Sequence, residues 1–128
     1  MTGPIIFGDE TARRQLVSQG DVVTFRESER TTGRTWWRES RTGTKRGDVT
    51  VVNLGKIRPY ALQWLPSDVT DRSGFDTVDE WKSAIYDVHS CDPAAVGRLY
   101  RVVEGHRNPD DVNDVTIPPY ALTPRLQK

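Results

Sequence analysis

The chain of 128 residues has a single cysteine, Cys91, so no internal disulfide can form and a disulfide-stapled scaffold is excluded. With only two histidines beside it, the ligand supply for a structural zinc site is too small. No apolar run approaches the length needed to span a bilayer. The opening MTGPIIFGDE lacks a charged region followed by an apolar stretch, so a signal peptide is not expected. Neither a phosphate-binding Walker loop nor a dinucleotide fingerprint is present. Formal net charge is zero, which excludes a uniformly basic nucleic-acid protein and an acidic disordered one. These absences predict a cytoplasmic protein with no membrane segment, no metal and no cofactor.

What is there suits one domain. Apolar residues make up 35% and charged residues 28%, so the core must be economical. PIIF (4–7) reads as a first strand. GDETARRQLVSQG reads as a helix: Asp9 caps it, Ala12, Leu16 and Gln19 share a face, and Gly20 closes it. DVVTFR and DVTVVNLG are strands, the second apolar on both faces. IRPYALQWL is expected as another, broken or held at an edge by Pro59. TVDE (77–80) has capping-box spacing, and Val78, Trp81, Ile85 and Val88 follow on one helical face. LYRVVE is a last strand. From residue 106 onward, prolines and Asp110, Asp111 and Asp114 predict an extended or disordered tail over 106–128, leaving a domain over 1–105. PYAL occurs at 59–62 and again at 119–122, a coincidence or a tail copy that docks on the domain. This order of elements predicts a small α+β domain around a curved or barrel-like sheet.

Charge gathers in one place. Between Arg26 and Arg46 lie seven cations (Arg26, Arg30, Arg34, Arg38, Arg41, Lys45 and Arg46) against three glutamates, a local charge of +4. Trp36 and Trp37 sit in its middle. On a strand, neighbours point to opposite faces, so one is buried and the other faces solvent or a cleft. A tryptophan among arginines stacks bases while phosphates are held nearby. The structural alternative is a basic hairpin whose tryptophans pack over a barrel end with arginines stacked on them. His89 and Cys91 have no orienting partner for nucleophilic chemistry. The acids Asp68, Asp71, Asp76, Asp79 and Glu80 are accounted for by helix capping and solvation.

Three segments carry a resemblance: LVSQGDVVTFR (16–26), KRGDVTVV (45–52) and SGFDTVDEWKSAI (73–85), with LYRVVE as the last strand. In order and spacing they resemble the ASCH domains of the PUA-like superfamily, over roughly residues 5–104. The resemblance implies a small PUA-like β-barrel of five to six strands with two or three flanking helices. It also implies a cleft for RNA or a nucleotide. Some bacterial members are amidohydrolases on acetylated cytidine that use Lys, Thr and Glu; others bind or cut RNA. Thr24 and Arg26 match the family's Thr and Arg. Its Lys falls at Asp21 and its Glu at Ser73, so two of three amidohydrolase positions are changed.

On a strand, Val22, Thr24 and Arg26 share one face and Val23 and Phe25 the other. A hydroxyl beside a guanidinium suits a phosphate, a carboxylate or a base edge. Alternatively, Arg26 pairs with Glu27 or Glu29. The expectation is therefore a module that binds single-stranded RNA or a nucleotide-like ligand. Thr24 and Arg26 line its cleft, Trp36 or Trp37 stacks, and Arg34, Arg38, Arg41 and Arg46 contact phosphate. The competing expectation is a small hydrolase, either a ribonuclease or a modified-nucleoside amidohydrolase, with Thr24 and Asp21 as its best available pair. A third is a cleft filled by the acidic tail.

Overall fold

Alternation of side chains decides how these strands assemble. The computed structural model describes residues 4–7, 10–26, 30–40, 42–89 and 96–112, with the side chains of Tyr60 and of residues 87–89 excepted. Five strands form one sheet: β1 (Ile5–Ile6), β2 (Asp21–Arg26), β3 (Gly33–Arg38), β4 (Gly47–Ile57) and β5 (Gly97–Glu104). Their spatial order is β1-β3-β4-β5-β2. β1 joins β3 in parallel, and every other pairing is antiparallel. The fold is α+β, and the sheet curls into a half-barrel. Its two edges approach one another: the Arg26 guanidinium at the end of β2 lies 5.0 Å from the ring centroid of Phe7, just past β1.

β2, β4 and β5 bury residues on both faces, whereas β1 and β3 bury one. One face carries Ile5, Phe7, Val22, Trp37, Val49, Val51, Tyr100 and Val102, covered by Ala12 and Leu16 of α1 (Glu10–Gln19). This is the side across which Phe7 meets Arg26, and it is the concave one. The other face carries Val23, Phe25, Ile57 and Leu99. Ala61, Leu62, Leu65, Val69, Trp81 and Ile85 cover it, from a 3-10 helix (Pro59–Trp64), α2 (Ser67–Thr70) and α3 (Val78–His89). Burying aliphatic and aromatic side chains of this size stabilises by about 1.5–3 kcal/mol each. Phe25 lies so close to β5 that a Cβ at Gly97 would sit 2.2 Å from its Cζ, which is why that position is glycine.

Several expected elements appear with small shifts. α1 ends where expected: Gly20, at φ 71°, donates its N–H to the Leu16 carbonyl at 2.7 Å. The Thr77 hydroxyl accepts from the Glu80 N–H at 3.1 Å, the expected cap of α3. Residues Asp9, Cys91 and 113–128, with the second PYAL, lie outside the described residues, as do the side chains of Val88 and His89.

Two expectations are corrected. IRPYALQWL is no strand: β4 ends at Ile57, Arg58 is extended at φ −98°, and Pro59 starts the 3-10 helix. Proline's fixed φ and missing N–H suit the first position of a helical turn. Nor does packing stop at residue 105. Buried Thr50 donates its hydroxyl to the Gly105 carbonyl and accepts from the Arg107 N–H, both at 2.8 Å. A short helix, α4 (Pro109–Val112), then seats Val112 against Val52 and Val103.

Candidate nucleic-acid interface

β2 delivers the expected pair. Thr24 and Arg26 project from the concave face, and Arg26 Nε donates to Thr24 Oγ1 at 3.3 Å. Thr24 is nearly buried, and Arg26 is partly exposed with its guanidinium over Phe7. The hydroxyl lies deeper in the sheet than the guanidinium. Glu27 and Glu29, the alternative partners for Arg26, lie outside the described residues.

Register adds residues that lie far away in sequence. Thr24 is opposite Tyr100, whose buried hydroxyl accepts from the Arg30 N–H at 2.8 Å. Arg26 is opposite Arg98, and Arg98 is opposite Lys56 on β4. The bulge between Asn53 and Gly55 sets Lys56 on the same face as Arg98. Sequence reading missed Arg98, Lys56 and Phe7. The alternation of GRLYRVVE shows Arg98 and Tyr100 sharing a face, but nothing in the chain states which residue they oppose.

Asp21 goes elsewhere. Strand alternation puts it on the convex face, opposite Val103. There Arg101 Nη2 donates to Asp21 Oδ2 at 2.7 Å, Arg101 Nε to Oδ1 at 3.1 Å, and Arg72 Nε to Oδ2 at 3.1 Å. Arg101 is 7% exposed and also donates through Nη1 to the Val112 carbonyl. The carboxylate is held by two guanidiniums and is turned away from Thr24, so the expected Thr24–Asp21 catalytic pair is not formed. Ser73 is buried and its hydroxyl accepts from the Phe75 N–H at 3.1 Å, a turn-forming bond.

The middle of the basic segment is strand β3, and the strand divides its residues between two faces. Trp37 faces the concave side, 5% exposed, edge-on to Phe7 with ring centroids 5.9 Å apart. It is core and is not available to stack a base. The Arg46 guanidinium covers its ring at 5.2 Å and pairs with Glu39, so Arg46 is already engaged. Trp36 is half-buried on the other face, with the Arg38 guanidinium 5.5 Å above its ring. Arg38 Nε is buried and lacks a hydrogen-bond partner. Exposed Arg34 donates to the Arg107 carbonyl at 3.1 Å. Arg41 lies outside the described residues. Among the described residues the expected site is therefore divided: Thr24 and Arg26 open on one face, Arg34, Trp36 and Arg38 on the other.

Among the described residues Asp110 and Asp111 make no ion pair, and α4 is held by Val112 and its carbonyl. At the end of the sheet, Lys45 bonds Asp48 at 2.7 Å, and His106 lies 3.7 Å away. That hydrogen bond from Lys45, with the positive charge of Lys45 and His106, holds the Asp48 carboxyl below its ordinary value against the opposing effect of desolvation. A shallow acidic depression on α3 is lined by Phe75, Asp79, Glu80, Ser83 and Ala84.

No family model matches the chain, and it has no significant match among curated proteins or solved structures. Among the described residues no three His, Cys, Asp or Glu side chains converge on a metal site, and no helix is long and apolar enough to cross a membrane.

Proposed function

We propose that the protein is a cytoplasmic ASCH-type module, built on a PUA-like barrel, that binds single-stranded RNA or a nucleotide-like ligand at the concave mouth of its sheet. The observation that carries this is the joint placement of Thr24 and Arg26. A hydroxyl and a guanidinium in contact at 3.3 Å share one face, with the planar cation seated on Phe7. A guanidinium fixed on a ring presents its N–H edge to a phosphate or base edge at little further entropic cost. The curled sheet supports a cleft rather than a flat surface, and the modest charge suits a single strand better than a duplex. Trp36 under Arg38 is the remaining aromatic platform, on the face away from the mouth. The hydrolase reading finds no support, because no described carboxylate is placed to take a proton from Thr24.

A filter-binding titration with single-stranded RNA tests the proposal. Affinity falls as salt rises, and Arg26→Ala weakens it about tenfold or more, the loss of one charge-assisted contact. Absence of binding at low salt refutes it.

A further inference from the structure

We propose that residues 105–112 are a strap that closes over the convex face of the sheet and, whatever the mouth binds, opens as one unit while the sheet stays folded.

The strap is anchored at both ends. At its start the Gly105 N–H donates to the Asp48 carbonyl at 2.7 Å, and fully buried Thr50 bridges Gly105 and Arg107 through its hydroxyl. At its end Val112 packs on Val52 and Val103, and its carbonyl accepts from Arg101 Nη1. Two contacts reach β3 in between. His106 Nε2 donates to the Thr35 carbonyl at 2.9 Å, and Arg34 Nε donates to the Arg107 carbonyl at 3.1 Å. The strap thus spans β3, β4 and β5.

Bonds within the segment make it a unit. The Asn108 side-chain oxygen accepts from the Asp110 N–H at 3.1 Å, and the Asn108 carbonyl accepts from the Asp111 N–H at 2.9 Å. Pro109 follows at the first position of α4, where its fixed φ is already helical. Before this stiff turn lies Gly105, whose φ of 86° is one that other residues adopt only with strain, so the hinge falls there.

The hold on the sheet is thin. Residues 106–111 are exposed, and Val112 alone of the strap's side chains is buried. β4 and β5 beneath it pair from Val49 to Ile57 with apolar cores on both faces. A segment with one buried apolar side chain and solvent-facing hydrogen bonds opens at a lower free energy than such a sheet. Because a stiff turn joins the two anchors, loss of the Val112 seat also loosens the Thr50 bridge. Opening uncovers Val52 and Val103 and frees one arm of Arg101, whose other donors stay on Asp21. The open state therefore presents an apolar strip beside a guanidinium that the closed strap covers.

Native-state hydrogen exchange of the full chain, read residue by residue by NMR, tests this. In the parent the Arg107 N–H, bonded to Thr50, is expected to be protected, but less so than amides in the middle of β4 and β5. Its exchange should respond weakly to urea, because the strap exposes little surface on opening, whereas the sheet amides respond steeply. Val112→Ala, at the far anchor, should speed exchange of the Arg107 N–H about tenfold or more, and Val112→Thr should act in the same direction. In both variants the sheet centre should stay better protected than the strap, which shows that they fold. An Arg107 N–H indifferent to both substitutions overturns the strap, because its ends then move independently. An Arg107 N–H unprotected in the parent, or one that matches the sheet centre in rate and urea slope, overturns it as well.

Discussion

Asp21→Ala separates a structural role from a catalytic one. In the native protein the Asp21 carboxylate faces Arg101 with two bonds, at 2.7 and 3.1 Å, and Arg72 with a third at 3.1 Å. Arg101 is 7% exposed, so removing its partner strands a guanidinium in low dielectric. Breaking one side of such a pair typically costs about 3–5 kcal/mol. Asp21 keeps 21% of its side-chain exposure and Arg72 31%, so water relieves part of that cost. The expected loss is therefore about 3 kcal/mol, the lower end of that range. With a urea slope of about 1.5 kcal/mol/M, the unfolding midpoint falls by about 2 M. The double variant Asp21→Leu with Arg101→Met should recover much of the loss, since an apolar pair of similar size replaces a buried ion pair at little cost. Urea unfolding of the parent, Asp21→Leu, Arg101→Met and the double variant completes the cycle. RNA binding per folded molecule should be unchanged in Asp21→Ala. A loss under about 1 kcal/mol, or a stable Asp21→Ala protein that has lost ligand binding, refutes the clamp.

The tryptophans should separate in the same way. Trp37→Ala removes a buried ring packed against Phe7 and is expected to cost about 3–5 kcal/mol in urea unfolding. Trp36→Ala should cost much less, and if an RNA base stacks there it weakens affinity by about 1–3 kcal/mol in the filter assay. Gly97→Ala should destabilise by about 1–3 kcal/mol, because the new methyl overlaps Phe25; a neutral melt argues against that packing. Asp48 titrates below its ordinary value of 3.8, so it binds protons more weakly folded than unfolded. Its contribution is present above about pH 4 and is lost as acid takes the solution below that value. In Lys45→Ala, stability measured between pH 5 and pH 2 should fall less steeply than in the parent.

Strand alternation was legible wherever the pattern was strong. DVVTFR gave the face shared by Thr24 and Arg26, and the valines of β4 gave a strand buried on both sides. Adjacent tryptophans on a strand had to diverge, and they do. What failed was anything set by partners distant in sequence. PYALQW has the composition of a strand, yet Pro59 at a helix start and the apolar cover needed over Val23 and Phe25 make it a 3-10 helix. The composition of residues 106–112 is that of a tail, but Thr50 and Arg101 capture their backbone, and neither residue announces that from its own neighbourhood. Arg101 itself occupies an inward position of a valine-rich strand, where sequence periodicity predicts an apolar residue and only the carboxylate 80 positions away makes it tolerable.

The same reasoning explains why a basic segment dense in sequence is divided in space. Charges close in sequence on a strand alternate faces, and successive same-face residues lie about 6.7 Å apart, whereas direct cross-strand neighbours lie about 4.8 Å apart. A field is therefore concentrated by register more than by sequence density. In β3 the alternation sends Arg34 and Arg38 to one side, while Arg46 is spent on Glu39 and the Trp37 ring. Across β2, β5 and β4, by contrast, three cations drawn from separate parts of the chain stand abreast within about one Debye length at 0.1 M salt. Much of the local charge in the sequence is thus engaged within the fold, where Arg46 pairs with Glu39, Lys45 with Asp48, and Arg34 donates to the Arg107 carbonyl.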